Sequence, residues 1–127
     1  MSYVNAGHLP IIQLNRQQEA TQLPVNNDLA LGVKPDASFS ASVVPFPARD
    51  LALLYTDGLY AKLTNSPEQG SAEVERFAKQ FGGAEVTTLC HRIFDCAQPG
   101  YEPPKDDATM VVIRRQPQAT AEKLAAP

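Results

Sequence analysis

The sequence predicts an α+β fold in which antiparallel β-sheets pack against two helices. Three observations support this prediction. Short strand-like runs separated by turn residues fill the first half of the chain, two amphipathic helical stretches follow each other in the second half, and an apolar β-branched run comes last. Helices grouped together between strands, rather than alternating with them, are typical of the α+β class.

Strand signals begin at the N-terminus, with short runs at 3–5 and 11–14. The polar, turn-rich segment 15–38 is expected to hold one or two short strands and little else. Alternation of apolar and small residues over 39–44 predicts a half-buried antiparallel strand. The unbroken apolar run 51–56 predicts a central strand that is covered on both faces.

Two amphipathic helices are predicted after the central strand. In the first, Ser71 is the expected N-cap and the Gly82-Gly83 pair marks the end. Its apolar positions recur at helical spacing, and so do those of the second helix. These positions are Val74, Phe77, Ala78 and Phe81 in the first helix, and Val86, Leu89, Cys90 and Ile93 in the second. Both apolar stripes are interpreted as surfaces that face the sheet.

The last strand is predicted over Ala108 to Arg114, after an irregular loop rich in Pro and Gly at 99–104. Residues 116–127 contain mostly Ala, Gln and Pro, with little to bury, and are interpreted as a flexible tail. The folded domain is therefore expected to occupy residues 1–115.

Composition excludes several classes of protein. With 127 residues and 43% hydrophobic content, the chain is about one domain long. A formal net charge of −3 argues against nucleic-acid binding, since that needs a basic surface. No run approaches the roughly 18 apolar residues of a membrane span, and the N-terminus lacks a signal-peptide pattern. We therefore expect a cytoplasmic protein that binds neither nucleic acid nor membrane.

The two cysteines, Cys90 and Cys96, lie in the second predicted helix. A separation of six residues places them on different faces and excludes a Cys-x-x-Cys clip. We interpret both as buried free thiols. A Zn²⁺ site made by Cys90, His91 and Cys96 is the alternative, although neighbouring helical side chains diverge.

Two acidic sites lie at the ends of apolar strands. One strand runs into Asp57-Gly58, and the other runs out of Asp106-Asp107. If the fold pairs these strands, the carboxylates of Asp57 and Asp106 reach one edge of a sheet. Carboxylate and water oxygens are the ligands that Mg²⁺ and Mn²⁺ prefer. Each motif is also a common turn or loop end, so an unrelated small α/β domain remains open.

Four motifs occur in a fixed order along the chain. They are the turn Asn5-Ala6-Gly7-His8, the step Leu31-Gly32, the strand end from Leu53 to Leu59, and the strand start from Asp106 to Thr109. This order resembles the metal-dependent protein phosphatase family (PPM, type 2C-like), in particular its bacterial branch of sporulation and stress-response serine phosphatases. The resemblance runs from about Tyr3 to Arg115, and the block Leu51 to Tyr60 is its most specific part.

The resemblance implies that residues 1–115 are the C-terminal portion of an α-β-β-α sandwich. Family members carry a Glu and a Gly-Asp-x-x-Gly motif, which supply the first metal ligands, in the preceding half of the domain. No Gly-Asp-x-x-Gly occurs in this sequence. We therefore expect a part of a phosphatase domain that begins in the middle of the fold.

Position by position, the resemblance implies Asp57 and Asp106 as metal ligands and catalytic residues, with Gly58 turning tightly beside the ion. Asp107 is implied as a neighbour of the ligands or as a turn-former. Asn5 and His8 are implied to lie near the cleft, although a plain turn histidine is the alternative for His8. In place of the acid that the family commonly carries shortly after this Gly-Leu, the chain has Lys62 at the expected cleft mouth.

The reaction that the resemblance implies is hydrolysis of phosphoserine or phosphothreonine on a protein by two Mn²⁺ or Mg²⁺ ions and a bridging water. The implied partner is a phosphorylated protein, often an anti-anti-sigma factor in a partner-switching circuit. Two carboxylates cannot hold two ions, so we expect the chain alone to be inactive and to self-associate through exposed surfaces. The alternative is a non-catalytic regulatory or protein-binding module on the same scaffold.

Overall fold

A computed structural model describes residues 1–26 and 28–118 of the chain. Its strands are β1 (Ser2–Tyr3), β2 (Ile12–Leu14), β3 (Ala20–Gln22), β4 (Ser42–Val43), β5 (Leu51–Tyr55) and β6 (Met110–Arg114). Its helices are α1 (Pro67–Phe81) and α2 (Val86–Ala97), and a short 3₁₀ turn covers Asp57–Leu59. The predicted α+β class is confirmed. The tail predicted at 116–127 lies outside the described residues beyond residue 118.

The main sheet has four antiparallel strands in the order β3-β2-β5-β6. At its centre, Leu53 of β5 is paired with Ile12 on one side and Val112 on the other. A separate pair of strands, β1 and β4, is also antiparallel. The two acidic motifs therefore lie on neighbouring strands, because β5 leads into Asp57 and β6 follows Asp106.

One face of the main sheet is covered by the two helices. The core there joins sheet residues to the helical stripes, and its most buried members are Ile12, Leu53, Tyr55, Leu59, Val74, Leu89 and Ile93. Tyr55 is held in this core by a hydrogen bond that its hydroxyl donates to Ser71 Oγ at 2.8 Å. The predicted stripes of both helices thus face the sheet, apart from Cys90, which is half-buried and is not part of this core.

The other face of the sheet carries a smaller core. Ile11, Leu23 and Ala52 are buried there, with Met1, Tyr3 and Val44 packed against them. Towards β6 this cover ends, because Val111 and Ile113 remain about half exposed at 50% and 49%. The sheet is therefore fully covered on its helical face and only partly covered on the opposite face.

Two predicted elements differ from the structure. The strand predicted over 39–44 is reduced to Ser42–Val43, because its partner β1 offers only two residues for pairing. Helix α1 begins at Pro67, and its N-cap is Ser66 rather than Ser71. Ser71 is buried inside the helix and bonds to Tyr55 instead.

Both cysteines lie in α2 as free thiols, as predicted, but they are half-buried rather than buried. Within residues 1–26 and 28–118, no group of three His, Cys, Asp or Glu side chains is placed to hold a metal ion. The alternative Zn²⁺ site at Cys90, His91 and Cys96 is therefore wrong. The same residues include no helix that is long and apolar enough to span a bilayer.

Candidate functional site

Strand β5 ends in the turn that presents Asp57. The strand is buried along most of its length, and the chain leaves the core after Tyr55. The turn closes through hydrogen bonds from Leu59 N to Thr56 O at 3.0 Å and from Tyr60 N to Asp57 O at 3.1 Å. The Asp57 side chain is exposed, and its Oδ1 accepts a hydrogen bond from Gly58 N at 3.0 Å. The carboxylate is thus fixed to its own turn while it faces solvent.

Thr56 fastens this turn to the segment that carries the second acidic motif. Its backbone N–H donates to Thr109 O at 3.0 Å, and its hydroxyl donates to Asp107 O at 3.1 Å. The same hydroxyl oxygen accepts a hydrogen bond from Thr109 N at 3.0 Å. Three hydrogen bonds at one residue therefore hold the Asp57 turn against the Asp106-Asp107 loop.

Gly58 is in direct contact with that loop. A Cβ atom added at Gly58 would lie 2.2 Å from the carbonyl oxygen of Asp107 and 2.7 Å from its carbonyl carbon. No side chain can be accommodated at such distances without moving the backbone. Gly58 is therefore required for the close approach of the two acidic segments.

Gln98, at the end of α2, holds the turn from another direction. Its Nε2 donates to Gly58 O at 2.7 Å and to Leu59 O at 2.8 Å. Sequence reasoning missed this residue. A glutamine at a helix end has no distinctive pattern, and its role depends on where the helix is packed.

The Asn5-Ala6-Gly7-His8 turn is organised by a buried asparagine. Asn5 is 8% exposed, its Oδ1 accepts a hydrogen bond from His8 N at 2.7 Å, and its Nδ2 donates to Leu9 O at 3.2 Å. Gly7 has a φ of +73°, which favours glycine. These bonds give Asn5 a role in shaping the turn, while the His8 ring remains exposed.

Four of the six predicted site residues line two clefts. Asp57 and His8 lie together in a cleft of about 440 Å³, with Tyr55 and Tyr60 among its walls. Asp106 and Asp107 line a second cleft of about 570 Å³, together with Gln98 and Lys105. The structure therefore brings the two acidic segments into contact through Thr56 and Gly58, but their carboxylates open into separate clefts.

The carboxylates are suitable donors for a hard divalent cation because they are exposed oxygen ligands. Asp106 Oδ1 accepts a hydrogen bond from Asp107 N at 2.8 Å, in the same manner as Asp57 with Gly58. The described part of the chain does not gather three metal-ligating side chains. The donor set thus fits one part of a metal centre and not a complete one.

Two further side chains, Tyr60 and Lys62, lie close to the Asp57 turn in sequence. Burial raises the pKa of the Tyr60 hydroxyl, and the negative charges of Asp57 and Glu68 raise it further. Tyr60 is therefore a neutral phenol over the physiological range. Lys62 donates a hydrogen bond to the backbone oxygen of Glu102 and so attaches the 99–104 loop to the segment that follows the turn.

Comparisons with known proteins identify the family and the fold. A sequence model of the SpoIIE family, described as stage II sporulation protein E, matches residues 1–116. A comparison with curated protein sequences gives no significant match.

Three solved structures illustrate the structural similarity. The RsbU and RsbW domains of a Mycobacterium tuberculosis protein match 91% of this chain and 32% of theirs, with a TM-score of 0.71 and 24% identity. The phosphatase domain of the cell fate determinant SpoIIE from Bacillus subtilis matches 99% of this chain and 53% of its own length, with a TM-score of 0.68 and 18% identity.

The third is the PPM Ser-Thr phosphatase MsPP from Mycobacterium smegmatis, solved with cacodylate, which matches at a TM-score of 0.59 and 17% identity. The match covers 90% of this chain and 55% of MsPP. The chain thus spans between about a third and about half of the solved structures that it matches. At these identities, the structural likeness concerns the fold.

Proposed function

We propose that this chain, which belongs to the SpoIIE family, serves in metal-dependent hydrolysis of phosphoserine or phosphothreonine on a protein. The chain is a C-terminal part of a PPM phosphatase domain. The observation that carries the proposal is the contact between the Asp57 turn and the Asp106-Asp107 loop, made through Thr56 and Gly58.

Asp57 and Asp106 are the residues that would each contribute a carboxylate to a Mn²⁺ or Mg²⁺ centre, and Gly58 allows the close backbone approach of their two segments. When bound, two such ions would supply a water of lowered pKa and neutralise phosphoryl oxygens. Thr56 and Gln98 act as positioning residues, because their hydrogen bonds fix the turn and the loop on which the carboxylates stand. Asp107 contributes its backbone oxygen to this frame.

The chain by itself supplies only part of the ligand set, and we expect it to be inactive alone. Support comes from the two separate clefts and from the lack of a third metal ligand among the described residues. The measurement is turnover of 4-nitrophenyl phosphate with Mn²⁺, and no turnover above background is expected. A rate comparable to that of complete PPM phosphatases would contradict the partial-site proposal.

Binding of Mn²⁺ tests the site independently of activity. In ¹⁵N-resolved NMR spectra, low concentrations of Mn²⁺ should broaden the amide signals of Asp57, Gly58 and Asp107 before those elsewhere. The Asp57→Asn variant should lose this selective broadening. Asp95→Asn, an exposed aspartate on α2, is the matched control and should behave as the unchanged chain. Uniform broadening in all three proteins would remove Asp57 from the site.

The proposed partner is a serine- or threonine-phosphorylated protein in a sigma-factor circuit, such as an anti-anti-sigma factor, which implies a cytoplasmic location. The support is the similarity to the RsbU and SpoIIE phosphatase domains. In a surface-immobilised binding assay, the phosphorylated anti-anti-sigma protein should be retained more strongly than its unphosphorylated form. Equal retention of the two forms would contradict this partner class.

A second candidate function is a non-catalytic regulatory or protein-binding module on the phosphatase scaffold. The incomplete ligand set of the described residues favours it. The Mn²⁺ titration separates the two candidates, because a module that has lost catalysis has no reason to bind the ion at Asp57. Selective broadening therefore supports the phosphatase, and its absence supports the module.

A further inference from the structure

A cleft of about 780 Å³ lies at the end of the main sheet opposite to the Asp57 turn. Asp57 lies two residues after the end of β5, whereas this cleft is lined by Leu51, the first residue of the same strand, and by Arg49 just before it. Its other walls are the β2–β3 loop, the end of β6 and the beginning of α2. It is larger than the clefts beside Asp57 and Asp106, and it shares no lining residue with them.

Four arginines from three separate segments line this cleft: Arg16, Arg49, Arg114 and Arg115. The whole chain has six arginines and a net charge of −3, so positive charge is concentrated here in an otherwise acidic protein. Neither side-chain ion pair of the described residues includes any of the four. Their charge is therefore available to a ligand.

Among the described residues that line the cleft, Glu85 is the only acidic one, and its carboxylate forms hydrogen bonds within its own helix. It caps α2 by accepting hydrogen bonds from Thr87 N at 2.8 Å and Thr88 N at 3.4 Å. Desolvation acts to raise the pKa of Glu85, but these hydrogen bonds leave it below its ordinary value. The negative charge of Glu85 thus interacts with the N-terminus of α2 rather than with the arginines.

The backbone that carries the arginines is held in place. Arg49 has a φ of +74°, an unfavourable conformation for a residue with a side chain. It is maintained by hydrogen bonds from Arg49 N to Arg115 O at 2.7 Å and from Arg115 N to Asp50 O at 3.0 Å. Arg49 lies in the turn before β5, which a hydrogen bond from Asp50 N to Pro47 O closes at 3.2 Å. The bonds to Arg115 thus fix this turn against the end of β6 at the cleft.

Two of the guanidinium groups are oriented by neutral partners. Arg114 Nη2 donates to Gly82 O at 2.9 Å and to Ala84 O at 2.7 Å, and Arg115 Nη1 donates to Phe46 O. Carbonyl oxygens fix these side chains without cancelling their charge. Each guanidinium keeps further N–H donors for a ligand, because it has five in total.

We propose that this cleft binds a small organic polyanion that carries two or more phosphate or carboxylate groups. A guanidinium group binds a phosphate or carboxylate group with paired hydrogen bonds. Four guanidinium groups can therefore bind more than one such group. The volume lies in the range of small-molecule sites, and Leu14, Leu51 and Val86 add apolar surface for the organic part. The proposal does not depend on the metal site or on phosphatase activity.

Isothermal titration calorimetry at low ionic strength tests the proposal, with ADP, pyrophosphate and citrate as separate probes. The double variant Arg16→Gln/Arg49→Gly removes two of the arginines. Arg16 is exposed, and glycine suits the backbone at position 49, so the fold should be kept. Lys34→Gln/Arg92→Gln removes the same charge from positions outside the cleft and serves as the control.

At least one probe should bind the unchanged chain and the control equally, and bind the cleft variant about tenfold or more weakly. ADP or pyrophosphate as the tighter ligand assigns phosphate, whereas citrate assigns carboxylate. Equal weakening in both double variants would reduce the effect to net charge and overturn the site. Failure of all three probes to bind would also overturn it.

Discussion

At the scale of single residues, Gly58 is the point where the Asp57 turn and the Asp107 segment touch. The sequence indicated a glycine that lets the chain turn beside an aspartate. The structure gives a different physical reason, since the glycine is needed for close backbone approach to Asp107. That reason depends on the pairing of β5 with β6, two strands far apart in sequence, and local turn signals do not contain it.

Replacement of Gly58 by alanine should lower the free energy of unfolding by about 1–3 kcal/mol, because the new methyl group would overlap the Asp107 carbonyl. Urea denaturation monitored by circular dichroism measures the change. Gly83→Ala is the matched control, since a Cβ atom there meets no atom within 4 Å. Equal stability of the two variants would show that the contact does not constrain the fold.

Other site residues differ in how far the sequence could identify them. Asp57 and Asp106 stand at strand ends that were visible as apolar runs, so their segments could be expected to meet. The separate clefts into which they open could not be expected, because side-chain direction in a loop is set by local hydrogen bonds such as that from Asp107 N to Asp106 Oδ1.

At the scale of elements, α1 shows why helix starts are harder to predict than helix faces. The apolar stripe begins at Val74, and a prediction based on it places the cap too late. The true start carried its own signals, because Ser66 precedes Pro67 and is followed three residues later by Gln69. A polar first turn contributes nothing to the stripe, so periodicity alone cannot find it.

The two serines of α1 should respond differently to substitution. Ser66→Ala removes the side chain that accepts a hydrogen bond from Gln69 N, and should cost about 1 kcal/mol. Ser71→Ala leaves the buried Tyr55 hydroxyl without its partner and should cost about 1–3 kcal/mol.

Hydrogen exchange separates the two effects in α1. Ser66→Ala should increase exchange in the first turn of the helix, whereas Ser71→Ala should lower protection around Tyr55 in β5. If Ser71→Ala lowered protection in the first turn of α1 and Ser66→Ala did not, Ser71 rather than Ser66 would be the N-cap.

Strand β4 illustrates a limit of the period-two pattern. Alternation over 39–44 is real, but Val43 is 79% exposed and only two residues pair with β1. An alternating pattern predicts a strand only when a partner and a core are present to receive it. That information lies in the rest of the fold rather than in the segment.

At the scale of the whole molecule, the outer strand β6 is the main exposed feature of the sheet. Within residues 1–26 and 28–118 it pairs with β5 alone, and Val111 and Ile113 carry apolar surface on the uncovered face. An outer strand with exposed apolar residues favours pairing with another chain. We propose that isolated chains associate through this strand.

Light scattering coupled to size exclusion should show a species larger than the monomer at micromolar concentration. Val111→Lys/Ile113→Lys should shift it to the monomer, because charge on an outer strand opposes pairing. Leu31→Lys is the control, as Leu31 is 75% exposed but lies in a loop. Elution of the unsubstituted chain as a monomer would contradict this mode of association. A shift to the monomer in Leu31→Lys as large as in the double variant would also contradict it.

The loop from Pro99 to Lys105 leaves and rejoins the same short turn. Before its start, Gln98 donates hydrogen bonds to the backbone oxygens of Gly58 and Leu59. After its end, the backbone oxygen of Asp107 accepts a hydrogen bond from the Thr56 hydroxyl. Tyr101, near the middle, is fully exposed. These two anchors lie outside the loop, and the third, the hydrogen bond from Lys62 to Glu102, uses a backbone oxygen and no loop side chain. The side chains of the loop can therefore change while the carboxylates stay where they are. The loop is therefore a natural place to attach a fluorophore or affinity tag, and a segment that evolution can rewrite at small cost.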